Sequence, residues 1–122
     1  MRRPLALVLA CAVLLSFGCK RKRSGTDNET GPIVIGAYLS LTGSMATFGE
    51  STLRGAQIAV EEANAQGGLL GREVQLIALD DQGRAEEVGN AVSRLIDVNG
   101  AAAIMGEVAS TLSLVAGRIC QR

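Results

Sequence analysis

Ile33-Val34-Ile35-Gly36-Ala37-Tyr38-Leu39 is rich in β-branched residues and almost continuously apolar, as a strand covered on both faces of a parallel sheet must be. A loop of small residues follows, and then apolar positions recur at helical spacing. Leu53, Ala56, Ala59, Val60 and Ala63 share one side of a helix expected over residues 47–66, with Glu61 and Glu62 turned outward. Gly67-Gly68 stops that helix, because glycine takes the left-handed cap conformation without steric penalty. Residues 73–79 read as a second strand, alternating Val74, Leu76 and Ala78 against a more mixed face, and Asp80-Asp81 close it. Strand, helix and strand in this order make a βαβ unit, which sets the class as α/β.

The pattern continues outward. Val88, Ala91, Val92, Leu95 and Ile96 form the apolar stripe of a second helix, and Asn99-Gly100 stop it before a short strand over residues 101–105, whose alanines suggest close helix packing. After a turn over residues 106–109, Ser110 can cap a third helix that carries Leu112, Val115, Ala116 and Ile119 inward. Crossovers between parallel strands are right-handed, so connections on opposite faces give an open parallel sheet of strand order 2-1-3.

Upstream lies a segment of another kind. Arg2 and Arg3, an apolar run over residues 5–17 and small Gly18 before Cys19 are the three parts of an export signal. The run is shorter than the roughly 20 apolar residues a membrane-spanning helix needs, so cleavage is expected. Residues 1–19 therefore read as a lipoprotein-type signal peptide. Gly18-Cys19 resembles a bacterial lipoprotein processing site, where the cysteine takes a diacylglycerol and becomes the new N-terminus, although Ser16 stands where that family usually has leucine. Val8-Leu9-Ala10-Cys11 fits the local pattern better, but processing there would leave a short apolar core and a greasy mature end. Lys20-Arg21-Lys22-Arg23 runs against the rule that positive charge stays on the cytoplasmic side, which keeps an uncleaved anchor, or a start placed upstream of the true one, as alternatives. Residues 20–32 read as a flexible tether. Residues 33–122 suffice for one small core but fall short of a two-domain protein, and Cys120-Gln121-Arg122 is still in a helical pattern, so the chain is expected to be an N-terminal fragment.

Several functions are disfavoured. From Ile33 onward six arginines stand against ten acids, a net charge of −4, so no nucleic-acid partner is expected. The chain has no histidine, which removes Ser-His and Cys-His catalysis and the commonest metal ligand. Neither an enzyme activity, a metal nor a cofactor is expected. Cys11 would be removed and Cys19 lipidated, leaving Cys120 without a partner and most simply a buried small apolar residue. The rival from another class is a dinucleotide-dependent enzyme, because Asp80 ends the second strand of a βαβ unit, where a ribose-binding acid is placed. Its phosphate loop is missing, since Gly36 opens neither G-x-G-x-x-G nor G-x-x-x-x-G-K and residues 40–47 are too many for a tight phosphate turn. Otherwise Asp80-Asp81 are solvated strand-end carboxylates or caps of the next helix.

In an open parallel sheet ligands sit beyond the carboxyl ends of the strands, where the strand order reverses. That point lies between the first and third strands and brings the loop over residues 40–49 to the turn over residues 106–111. The turn begins a helix, whose free N–H groups and partial positive charge suit a carboxylate or phosphate. Ser110 is either a hydroxyl donor to such a ligand or a plain N-cap.

Ile35-Gly36, Leu41-Thr42-Gly43, Phe48-Gly49, Gly55-Ala56, Glu62-Ala63-Asn64, Gly67-Gly68, Gly71, Asp80-Asp81, and Gly106 with Ser110, in this order and spacing, resemble the leucine/isoleucine/valine-binding proteins of ABC transporters, which have the class I periplasmic binding protein fold. The resemblance implies an incomplete N-terminal lobe of a two-lobed protein. It also implies that Ser110 and the backbone beside Val108 and Ala109 hold the α-carboxylate of an amino acid, and that Phe48 lies along the ligand side chain. Thr111 is a weaker carry-over, whose hydroxyl either joins the ligand or supports the helix start. From the residues alone, Phe48 is equally a core staple before the first helix. Ala85 stands where the family often has proline, a departure that touches helix entry and not the pocket. The implied mechanism is two lobes closing over one solute about a hinge, with closure signalling occupancy to a membrane permease from the periplasm, the protein held at the membrane surface by lipid on Cys19. A ligand sensor on the same scaffold stays open as an alternative, and so does the ligand: an aliphatic amino acid, an amide, urea or an aromatic acid.

Overall fold

Six elements alternate along the chain: β1 (Ile33–Leu39), α1 (Ala46–Ala65), β2 (Val74–Asp80), α2 (Ala85–Asp97), β3 (Ala103–Met105) and α3 (Ser110–Cys120). The computed structural model describes residues 31–121, so the signal peptide read over residues 1–19, with Cys19, and nearly all of the tether lie outside the described residues. The strands form one parallel sheet in the order β2-β1-β3, as the crossover rule requires. β1 pairs along its whole length with β2, from Ile33 opposite Val74 to Leu39 opposite Asp80, while β3 pairs only from Ala103 opposite Ile35 to Met105 opposite Ala37.

The two faces of the sheet are covered unequally. On one, Tyr38 meets Val88, Ala91, Val92 and Leu95 of α2 and Leu112 and Ala116 of α3, all buried, with Ile96, Val115 and Ile119 packed at the margin. Both apolar stripes read from the sequence are therefore the ones used. Ile77 and Leu79 also pack against this cluster, so the mixed face of β2 is the one that faces α2 and α3. Alternation along β1 sends the buried Ala37 and Leu39 to the opposite side, under α1. There the cover is thin: Leu53, Ala56, Val60 and Ala63 are half-buried, Ala59 is exposed, and Gly49 is the one fully buried residue of α1.

Polar groups lash α1 to β2. The Asn64 side chain donates through Nδ2 to the Val74 carbonyl and accepts the Val74 N–H at Oδ1, both at 2.8 Å. Gly67 and Gly68 take positive φ (99° and 76°) and the Gly68 N–H donates to the Ala63 carbonyl at 2.8 Å, which ends the helix as expected.

Two expectations are corrected. The third strand covers three residues instead of five, because only Ala103–Met105 reach pairing register with β1; Ala101 packs on the core, but Ala102 and Ala103 are exposed. Cys120 is exposed rather than buried, since the inward stripe of α3 ends at Ile119. Among the described residues no helix is long and apolar enough to cross a membrane.

Candidate functional site

The carboxyl ends of β1, β2 and β3 release three segments that converge on Ser40. Ser40 is fully buried; its N–H donates to Glu107 Oε1 at 3.3 Å and its hydroxyl donates to Asp81 Oδ1 at 2.9 Å. Gly49 closes the same loop from its far end, because a Cβ there would run into the Ser40 carbonyl. This close approach seats the first turn of α1, which carries Phe48, on Ser40.

Asp80 and Asp81 are neither freely solvated nor helix caps. Asp80 Oδ1 accepts the N–H groups of Leu41 (2.9 Å), Thr42 (3.2 Å) and Gln82 (2.9 Å), and Oδ2 accepts the Thr42 hydroxyl at 2.6 Å. Burial acts to raise its pKa, but the bonds from Thr42, Gln82 and Leu41 outweigh it and hold the carboxyl below the usual 3.8. Both oxygens of Asp80 thus tie the loops after β1 and β2 together, a structural role for the acid behind the dinucleotide reading. Asp81 is fully buried; its Oδ1 accepts the Ser40 hydroxyl and the Gly83 N–H (2.8 Å), and its Oδ2 meets no donor among the described residues. Burial pushes its pKa up, Glu107 and Asp80 push the same way, and the bonds from Gly83 and Ser40 offset only part of this. α2 begins after Arg84 with no side-chain cap.

The turn after β3 also differs from its sequence reading. Ala109, in extended conformation (φ −84°, ψ 115°), occupies the N-cap of α3, and no side chain caps the helix. Ser110 is the first helical residue, so the plain N-cap role fails, and its hydroxyl has no hydrogen-bond partner among the described residues. The N–H groups of Leu112 and Ser113 both donate to the Ala109 carbonyl (3.0 and 3.1 Å), while those of Ser110 and Thr111 find no acceptor within the described fold. Val108 likewise keeps a free N–H on an exposed residue. The Ala109 N–H is engaged, donating to Glu107 Oε2 at 3.2 Å. The Ser113 hydroxyl, bonded to the carbonyls of Glu107 (3.1 Å) and Ala109 (3.3 Å), stiffens the turn from behind.

Val108, Ser110 and Thr111 thus carry unengaged donors on exposed residues at one corner, and Ala109, its N–H bonded to Glu107, lies between them. Phe48 is 57% exposed, which excludes the core-staple reading and leaves its ring available to a ligand. Glu107, Ser40 and Asp81 escaped sequence reasoning as a unit, since their contacts span 67 and 41 residues. The one local signal was an acid at position 107 in the short turn after the third strand. Among the described residues no group of acidic or cysteine side chains is placed to hold a metal ion.

The sequence profile of the periplasmic binding proteins matches residues 32–122. The Leu/Ile/Val-binding protein homolog 7 of Brucella abortus is 30% identical over 108 residues, covering 88% of this chain and 27% of that protein. Among solved structures, a leucine-binding protein from Thermotoga maritima is 40% identical with a TM-score of 0.66, covering 72% of this chain and 24% of its own. The branched-chain amino acid transporter substrate-binding protein of Streptococcus pneumoniae, solved with isoleucine, superposes with a TM-score of 0.71 at 28% identity, covering 74% of this chain and 26% of that one. The chain therefore spans about a quarter of the length of these relatives.

Proposed function

This chain belongs to the periplasmic binding protein family, and from that premise we propose that it forms the ligand-facing start of an extracytoplasmic solute-binding protein of an ABC transporter, one that captures a branched-chain amino acid. The observation that carries the reading is the uncapped start of α3. The Ser110 hydroxyl and the N–H groups of Ser110 and Thr111 have no acceptor among the described residues, and they meet the positive end of the helix at the sheet's switch point. An α-carboxylate has the charge and the oxygens to satisfy all three. Val108 contributes a further N–H, and Ala109 sets the direction of the turn. Phe48, in the first turn of α1, offers an apolar face to an aliphatic side chain, the kind of side chain for which the relatives are named.

Capture then works by withdrawing the solute from water. A second lobe closes over this corner, desolvation strengthens the charge-assisted bonds, and the closed form is the one a permease reads. Lipid on Cys19, with residues 20–32 as tether, keeps the receptor near that permease. Solute capture requires no group transfer, and no residue here is assigned a catalytic role.

Calorimetric titration of the protein produced from its whole reading frame with leucine, isoleucine and valine tests the proposal. Ser110→Ala removes a hydroxyl donor to a charged carboxylate and is expected to weaken binding by about tenfold to hundredfold, equivalent to roughly 1.5–3 kcal/mol. A dissociation constant unchanged by that substitution contradicts the assignment of Ser110.

A further inference from the structure

Glu107 is a buried carboxylate with no ion-pair partner among the described residues. It is 9% exposed, and the ion pairs found among the described residues, Arg54 with Glu50 and Arg84 with Glu86, both lie on the surface far along the chain from it. Asp81 brings a second buried negative charge into the same network through Ser40. An unpaired carboxylate is costly to bury unless donors meet its oxygens. Glu107 has two such donors, one for each oxygen, and they come from different segments: the Ser40 N–H after β1 at Oε1, and the Ala109 N–H after β3 at Oε2.

We infer that Glu107 is the positioning residue of the solute corner: its carboxylate clamps the loop after β1 to the turn after β3, and so sets the aim of the free Ser110 and Thr111 amides relative to the first turn of α1, which carries Phe48. The inference rests on the proposed function, and it assigns Glu107 no contact with solute, because both of its oxygens are already occupied. The chemistry requires a carboxylate. Two amide donors need two acceptors at the end of one side chain; glutamine offers one oxygen and one NH2, so one of the two N–H groups would face another donor. Aspartate, one methylene shorter, cannot span the same pair. By taking the Ala109 N–H for itself, Glu107 also leaves the free donors of the turn to Val108, Ser110 and Thr111.

The test is Glu107→Gln in the protein produced from its whole reading frame, read in three ways. Amide proton shifts and hydrogen exchange of the ligand-free protein are followed at Ser40 and Ala109, affinity for isoleucine is measured by calorimetry, and the urea midpoint is recorded in parallel. The expected result is that at least one of the two amides loses protection, that affinity falls about tenfold or more, and that the folded fraction at the binding temperature is unchanged. If both amides keep their shifts and protection, the clamp does not exist and the inference is overturned whatever happens to binding. If an amide is released but the variant binds isoleucine as tightly as the parent, Glu107 is merely structural and only the inference fails. If the parent protein itself binds no branched-chain amino acid while Ser110→Ala is equally silent, the proposed function fails, and the positioning role falls with it.

Discussion

Adjacent aspartates at the end of β2 meet opposite fates, and the difference is a matter of donors. Asp80 collects four hydrogen bonds, and its pKa lies below the ordinary aspartate value; Asp81, fully buried with one oxygen unmatched, lies above it. The signs of their pH effects therefore differ. Asp80 contributes stability that is present above the unfolded value and is lost as pH falls through its lowered folded value. Asp81 does the reverse: stability declines as pH rises from about the ordinary aspartate value of 3.8 through its raised folded value, because the native state holds that proton more tightly than the unfolded chain. Asp81→Asn should accordingly raise the thermal midpoint at pH 7 relative to the parent and reduce the gap between midpoints at pH 4 and pH 7. A variant less stable than the parent at both pH values would show that the bonds from Ser40 and Gly83 need the charge. Asp80→Ala should cost about 1–2 kcal/mol at pH 7, once screening at its partly open site is allowed for, and should loosen residues 41–42 in hydrogen exchange. Little of this was legible in the sequence. Asp80-Asp81 could be placed at a strand end, but which carboxylate would be buried depends on Ser40 and Glu107, which are distant along the chain.

Periodicity carries much further for the elements. The stripes Val88-Ala91-Val92-Leu95 and Leu112-Ala116 follow from spacing alone, because a helix must bury the residues that share a face. The ends of elements were less legible. Ser110 fits an N-cap by residue type, yet Ala109 takes that place, since the Glu107 carboxylate already receives the Ala109 N–H and a capping side chain is not required to set the turn. The alanines of residues 101–103 promised a packed strand, but small side chains bury too little area to hold a strand edge in place. Two glycines in α1 give a matched test at this scale. A Cβ at Gly49 meets the backbone of Ser40, which cannot yield, whereas a Cβ at Gly55 meets nothing. Gly49→Ala should destabilise by roughly 1–3 kcal/mol and displace the first turn of α1. Gly55→Ala should stabilise by about 0.5–1 kcal/mol through helix propensity. Urea denaturation of the pair checks both, and equal effects of the two substitutions would remove Gly49 from the architecture of the site.

At the scale of the whole molecule, the class and the strand order 2-1-3 were readable from the alternation of elements and the handedness of their crossovers, and the corner at the switch point followed from them. The aim of its donors was not readable, because it depends on a clamp between segments 67 residues apart. On the proposed reading the described residues hold only one end of the solute; they span about a quarter of the relatives' length. A solute held on one side only keeps most of its water, so the 122-residue chain by itself should bind isoleucine weakly or not at all, and a micromolar dissociation constant for it would contradict closure as the source of affinity. The corner itself is tested most directly by titrating the 15N-labelled protein, produced from its whole reading frame, with isoleucine. The amide protons of Ser110 and Thr111 should move downfield and saturate with the calorimetric affinity; binding that leaves those two amides where they were would place the carboxylate elsewhere.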